Sequence, residues 1–410
     1  MIDADPLDRS GMRRHNLGLV LRAVADGTDT SRTAVAAATG LHKTTVSSLV
    51  TELIDRRLLR EIGTAPTGGV GRPAVALELD GDRFVALGLE INVDHLAFTA
   101  VDLLGRVRDE GFVQHDNRSR TATDTVAALA ELVGDALQRI RGEGLLPVGA
   151  TLGLPGLVDP TRGVLLLAPN LGWQDVAVGE RLHDALDSPD FTIGIENEAN
   201  LAAIAEGWQG AGQDHQDFLY VSGYIGVGAG IITDGQLHRG ATSFGGEFGH
   251  MTLEFDGPPC ACGSRGCVEA VVGLEALLRR AGHDPDPAGQ PPSDSGAVPA
   301  PAGRLIAAAE RGEPRTLEAL EELGGKLGAG LASAANLLGS QAVVLGGYYA
   351  ALFPWLRGPI EQELTTRVLA APWSPIEVLR SGIPEGAAVR GAASLSLRSL
   401  LDDPAGAPEG

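Results

Sequence analysis

Apolar positions recur at helical spacing through the first sixty residues, and then the period changes. Leu17, Val20, Leu21 and Val24 lie three and four apart, which predicts a helix over 17–25. Ser31 is placed to cap a second helix that Gly40 ends. A third helix is predicted over 43–59, with Val46, Leu49, Val50 and Leu53 on one face. Its other face carries Lys43, Thr44, Thr45, Ser47, Ser48 and Thr51. Residues 1–15 read as a flexible polar arm. Residues 60–79 read as strand, turn, strand, with a flexible loop at 66–73 that bears Arg72.

From residue 82 strands and helices alternate, the pattern of an α/β fold. Strands are predicted at 84–89, 96–103 and 148–154, with a helix at 123–141 between the last two. A second set follows: a strand at 191–195, a helix at 198–208, and paired strands at 217–222 and 228–233. Further helices are expected at 269–280, 317–338 and 387–401, with a strand at 342–345. The stretch 282–303 is rich in Pro, Gly, Asp and Ser and reads as a disordered surface insert. Residues 402–410 read as a mobile tail. No short-period repeat is present.

At 410 residues the chain predicts two or three domains. Aromatics are only 4% of the residues, so the predicted cores are aliphatic. The net charge of −21 excludes a chain that coats nucleic acid along its whole length. The charge is uneven, however. Residues 9–72 hold ten Lys and Arg against five acids, leaving −26 on the remainder. A basic head on an acidic body is the asymmetry expected if only the head meets phosphate. No apolar signal-like segment or run of eighteen apolar residues occurs, so a soluble, cytoplasmic protein with no membrane partner is expected.

The head fits a winged helix-turn-helix. Such a fold sets its second helix of the pair in the major groove, where short hydroxylated side chains reach phosphates and base edges. Lys43, Thr44, Thr45, Ser47 and Ser48 are the candidates on that face, and Arg72 is the candidate for an adjacent minor groove. A three-helix bundle with a solvated face has the same periodicity; the wing and the positive charge favour DNA.

All three cysteines fall in one cluster, Cys260, Cys262 and Cys267. An odd count in eight residues makes a poor disulfide framework and a good metal site. Three thiolates and one imidazole would close a tetrahedral zinc shell, a structural role with no position left for water. His250 is the candidate fourth ligand. Carboxylates and amides stand close by, in Glu196-Asn197-Glu198-Ala199-Asn200, in Phe244-Gly-Gly-Glu247-Phe-Gly-His250, and at Glu269. They suit sugar hydroxyls, which need several short, directed partners. Their spacing serves helix caps and solvated surface equally well.

Together these motifs resemble the ROK family of bacterial repressors and sugar kinases, over nearly the whole chain. The most specific match is Gly245-Gly-Glu247-Phe-Gly-His250 followed by Cys260-x-Cys262-Gly-x-x-Gly-Cys267-x-Glu269. Gly153-Leu-Pro-Gly-Leu-Val-Asp159, Pro169-Asn-Leu-Gly-Trp173, Glu196-Asn-Glu-Ala-Asn200 and Val343-Val-Leu-Gly-Gly347 support it. An N-terminal winged helix marks the repressor branch. The resemblance implies a two-lobed, actin-like (ribonuclease-H-like) ROK domain behind the head. The expected division is 1–80 for the head and 81–402 for the ROK domain, with 403–410 as tail. Lobe one would comprise 81–196 with 387–402, and lobe two 197–386. The resemblance also implies that Asn197, Glu247, His250 and Glu269 contact the sugar, with Asn170 nearby and Glu198 at the kinase base position. His250 would then serve metal and ligand through different ring nitrogens.

The departures from the kinase pattern bear on activity. The kinases' Asp-x-Gly-Gly-Thr phosphate loop is replaced by Glu90-Ile91-Asn92-Val93-Asp94, which has no glycine and adds negative charge. Ile225 stands for the threonine before Gly226-x-Gly228, and Tyr348 for the third glycine of the adenosine turn. Glu198 replaces the catalytic aspartate, moving the carboxylate by about 1 Å. No catalytic residue, ATP binding or phosphoryl transfer is therefore expected. The expected function is a sugar-responsive repressor of carbohydrate-utilisation genes, relieved by sugar. Its expected partners are double-stranded operator DNA and a second copy of itself, as a dimer or dimer of dimers. The alternatives are an active sugar kinase with a DNA-binding head, or a regulator whose effector is a phosphosugar or a protein.

Overall fold

The computed structural model describes residues 9–27, 30–64, 75–284, 300–383 and 385–408. Helices Arg9–Ala25, Arg32–Thr39 and Lys43–Asp55 are followed by the antiparallel strands Leu59–Thr64 and Val75–Leu79. The helix pair is set by local signals. The Ser31 hydroxyl accepts from the Ala34 N–H at 3.2 Å, and Gly40 takes the left-handed conformation that ends the helix. Val46, Leu49, Val50 and Leu53 are all buried, as their spacing predicts. The third helix stops at Asp55 rather than 59, because Arg57 turns left-handed and sends the chain into the first strand.

Two five-stranded sheets follow, built on one plan. In the first, Phe84–Ile91 is flanked by the antiparallel strands His95–Asp102 and Val107–Gln114 on one side. On its other side run the parallel strands Leu146–Leu154 and Ile193–Asn197. The second sheet repeats the order. Phe218–Gly223 carries antiparallel Val227–Thr233 and Gln236–Leu237 on one side, and parallel Ala342–Gly346 and Glu377–Arg380 on the other. Each sheet's central strand turns tightly into its antiparallel neighbour, at Asn92–Asp94 and at Tyr224–Gly226. This is the two-lobed arrangement the resemblance implies. A small three-stranded sheet, Leu157–Asp159, Val164–Ala168 and Trp173–Val176, was not legible in the periodicity.

The head is not on a loose tether. Its core of Leu17, Val20, Leu21, Leu49, Leu53 and Leu77 runs on into Phe84, Ala86, Leu397, Leu400 and Leu401. The last three belong to the closing helix Ala387–Asp402, which also packs on the first sheet. Two expectations at the termini are corrected here. The polar arm is helical from Arg9, and the tail folds back in a short turn, Pro404–Gly406, that buries Pro404 and Ala407. The cause is long-range: Arg22 pairs with Asp402 and Arg14 with Asp403. Gly18 lets the two chains approach, since a Cβ there would lie 2.5 Å from the Asp402 carbonyl oxygen. The helix expected over 269–280 is two, Val268–Val272 and Leu274–Ala281, broken at Gly273. Of the insert expected at 282–303, residues 285–299 lie outside the described residues, and the helix Ala300–Glu310 begins within its end. Among the described residues no helix is long and apolar enough to cross a membrane.

Candidate functional site

A cleft of ≈ 230 Å³ lies between the two sheets. Asn170, Asn197, Glu198, Glu247, His250 and Glu269, scattered over a hundred residues, all line it. Their positions follow from the loops that carry them. Asn197 ends a strand and caps the helix Glu198–Gln209: its Oδ1 accepts from the N–H groups of Ala199 and Asn200, and its Nδ2 donates to the Gly156 carbonyl at 3.0 Å. The capping role and the position in the cleft thus coincide in one residue. Glu269 opens a short helix, and its Oε2 accepts from the Val227 N–H at 3.0 Å.

Glu198 points into this cleft with an Oε2 that is shut off from solvent and has no hydrogen-bond partner. Desolvation, with the carboxylates of Glu90 and Glu247 nearby, pushes its pKa up to about 8. At neutral pH it therefore keeps its proton and can both donate and accept. Glu247 is likewise raised, by desolvation and the neighbouring Glu269, against the opposing pull of His250.

Glu196, which the sequence places in a carboxylate-rich segment, and Arg239, which sequence reasoning missed, hold the Glu247 loop in place. Buried Glu196 accepts from Arg239 Nε at 2.6 Å and from Asn200 Nδ2 at 3.0 Å. Arg239 in turn accepts from the Gly245 N–H through its carbonyl, closing the loop that leads to Glu247. No periodicity or motif joins positions 196 and 239; only the fold does.

Next to Glu247, one ligand atom each from His250, Cys260, Cys262 and Cys267 lie within 4.8 Å of one another. Cys262 Sγ and Cys267 Sγ are 3.8 Å apart, as are Cys260 Sγ and His250 Nδ1. A tetrahedron with metal–sulfur bonds of about 2.3 Å has edges of about 3.8 Å, so these two edges match and the group could hold a metal ion. His250 Nδ1 faces the thiols while Nε2 faces Glu247 Oε2, 4.0 Å away. Gly266 makes the loop possible. Its φ of 65° is left-handed, and a Cβ would fall 1.6 Å from the Glu254 carbonyl oxygen.

At the phosphate-loop position the cleft is lined differently. His95 Nδ1 donates to Asp94 Oδ1 at 2.8 Å, and its Nε2 lies 3.6 Å from Glu90 Oε1. Asn92 Nδ2 donates to the same Glu90 oxygen at 2.9 Å. Burial alone would lower the His95 pKa, but hydrogen bonds with Asp94 and Glu90 raise it to about 9. Conversely, His95 holds the buried Glu90 below the usual carboxylate range despite its desolvation. Tyr224 OH donates across the cleft to both Asp94 oxygens, at 3.0 and 3.1 Å. This bond ties the tight turn of one sheet to the tight turn of the other. Tyr348 is wholly buried, its ring packed where a Cβ on Gly223 would lie, under the second of those turns.

On the head, Lys43, Thr44, Thr45, Ser47 and Ser48 are all exposed on one helix face. Arg72 and the loop at 66–73 lie outside the described residues. The charge count overstates the free positive charge. Arg13, Arg14, Arg22, Arg32, Arg56, Arg57 and Arg60 are all paired with acids, four of them (Arg14, Arg22, Arg57 and Arg60) with Asp80, Asp82, Asp402 or Asp403 beyond the helix pair itself. Lys43 joins no ion pair among the described residues.

Comparison with known proteins matches two family models to the chain. The model of the IclR helix-turn-helix domain matches residues 17–63, and that of the ROK family matches residues 86–399. The xylose repressor of Bacillus spizizenii is 29% identical over 398 residues, covering 97% of this chain and 99% of its own. A crystal structure of a ROK family transcriptional regulator, a homologue of the E. coli Mlc protein, superposes with a TM-score of 0.79 at 24% identity. It covers 96% of this chain and 97% of its own, so the fold is shared across head and body. The ROK family glucokinase from Streptomyces griseus, in complex with glucose and AMPPNP, superposes with a TM-score of 0.61 at 27% identity. It covers 76% of this chain and 98% of its own. The chain belongs to the ROK family and joins an IclR-type helix-turn-helix to a ROK domain.

Proposed function

We propose that this protein is a sugar-responsive, DNA-binding transcriptional repressor. The observation that carries the reading is the closing helix. At its start Gly386, Ala387 and Ala388 line the cleft, and at its end it shares a core with the head's first helix. A ligand that favours one arrangement of the lobes would thereby favour one placement of the heads. The effector sugar is held by Glu247, His250 and Glu269, with Asn170, Asn197 and Glu198 completing its contacts. The metal is zinc, suited by three thiolates and one imidazole; when bound it would brace the loop that carries Glu247 and Glu269. The protein acts as a dimer on a two-fold operator, and sugar releases it.

Kinase activity is the rival reading, and the Glu90–His95 segment argues against it. That turn contains no glycine, and its side chains are bonded to one another and to Tyr224. An entering phosphate would meet carboxylates where the kinases offer backbone N–H groups.

The test is selection of bound duplexes from a random DNA pool, followed by anisotropy titration against salt. A two-fold motif should emerge, and Lys43→Ala should weaken binding about tenfold and lower the salt slope by about one. Failure to enrich any sequence would remove the DNA-binding reading. ADP release dependent on a hexose, lost in Glu198→Gln, would establish the kinase instead.

A further inference from the structure

The far end of the cleft is neither filled nor suited to phosphate. Glu90, Asn92, His95 and Phe112 line it in continuity with Glu198 and Glu247. No lysine or arginine lines any part of the cleft among the described residues. The polar groups at this end are bonded to each other, so they offer a ligand few free donors. What the end does offer is an aromatic face. Phe112 lies on the edge strand Val107–Gln114 and remains 41% exposed. Its ring stacks on His95 at 5.0 Å, and His95 is held in turn by the edge of Tyr224 at 6.0 Å. A ring so braced is a platform at a fixed position.

We infer that the effector is an uncharged oligosaccharide of at least two sugar units, the first held at Glu247, His250 and Glu269 and the next stacked on Phe112. This rests on the reading of the cleft as a sugar site and extends it. The C–H bonds on the face of a sugar ring carry slight positive charge and meet the negative face of the phenyl ring. Covering the half-exposed ring also removes apolar surface from water. Phosphorylated sugars are disfavoured because their charge would lie among Glu90, Glu247 and Glu269 with no lysine or arginine to meet it, and the charge of His95 is already met by Asp94 and Glu90. Both groups of residues line one continuous cleft, in which a second ring joined to the first would run past Glu198.

The test is calorimetry on the full-length protein with xylobiose, cellobiose, maltose and chitobiose, each beside its monosaccharide, and with glucose 6-phosphate and adenosine. At least one disaccharide should bind ten times more tightly than its monosaccharide, and glucose 6-phosphate and adenosine should not bind. Phe112→Ala should lower disaccharide affinity about tenfold more than monosaccharide affinity, while Phe112→Trp keeps the difference. Monosaccharides that bind with no gain from the second ring would overturn this inference and leave the sugar reading standing. Equal losses in Phe112→Ala would do the same, as would tight binding of glucose 6-phosphate or adenosine. Absence of binding by every sugar would overturn both.

Discussion

The two ends of the cleft are built from similar residues and do opposite things with them. At the end marked by Glu247 the carboxylates and the imidazole are placed by their neighbours but keep ligand-facing atoms, and Glu198 Oε2 has no partner at all. At the end marked by Glu90, the carboxylates, the imidazole and a phenol satisfy one another. An unpaired polar atom shut away from water costs about 1–3 kcal/mol, so a ligand that gives Glu198 Oε2 a partner would recover that cost. The second is complete by itself. The comparison teaches that polar groups facing one cleft can either satisfy one another or be left for a ligand. At the second end they form a strap between the two sheets.

The largest expected effect breaks the first end. Cys260→Ser should abolish stoichiometric zinc, read by elemental analysis, and lower sugar affinity at least a hundredfold, read by calorimetry. Sugar binding that survives metal removal unchanged would separate the cysteine loop from the sensing end.

Acidity should probe both ends at once. His95 in the folded protein holds its proton up to about 9 against an ordinary 6.5, and Glu198 up to about 8 against 4.5. Both values are raised, so the folded state binds more protons than the unfolded one and stability falls as pH rises. The Glu198 contribution is lost between 4.5 and 8, and that of His95 between 6.5 and 9. The shifts correspond to about 5 kcal/mol for Glu198 and about 3 kcal/mol for His95. Thermal unfolding should therefore show a melting temperature that declines from pH 5 to 9. Glu198→Gln should flatten the decline below about pH 6.5 and leave the part that His95 gives between 6.5 and 9. A melting temperature independent of pH across this range would contradict both assignments.

A smaller effect is expected at the strap. Tyr224→Phe removes a hydrogen bond to a charged group, worth about 1.5–3 kcal/mol. Small-angle scattering of the free protein should show the lobes further apart, while sugar affinity changes by less than threefold. An unchanged scattering profile would mean that the Tyr224–Asp94 bond does not hold the lobes.

Much of the first end was legible in the sequence, because its signals are local. The cysteines cluster within eight positions, and glycine turns flag the segments that bring Glu247 and Glu269 to the cleft. The same is true in the head, where Ser31 and Gly40 bound a helix by local capping. The second end was legible only as a departure. Glu90 and Asp94 marked a segment expected to differ from the kinases' glycine-bearing loop, yet their bonds to His95 and Tyr224 depend on the two sheets facing each other. The same holds for Arg239 with Glu196, and for the arginines of the head. Counted along the chain the latter read as charge for DNA, but Arg14 and Arg22 in fact fasten the head to Asp403 and Asp402. Local periodicity cannot report contacts between residues 380 positions apart.

The central claim is that filling the Glu247 end of the cleft changes the grip of the head on DNA. It is tested most directly by anisotropy of a selected operator duplex bound to full-length protein, titrated with the sugar that binds in calorimetry. The wild-type protein should release the duplex at least tenfold more readily when saturated with sugar, and Glu247→Ala should stay bound at the same sugar concentration. Equal release by both proteins, or no release by either, would contradict the account.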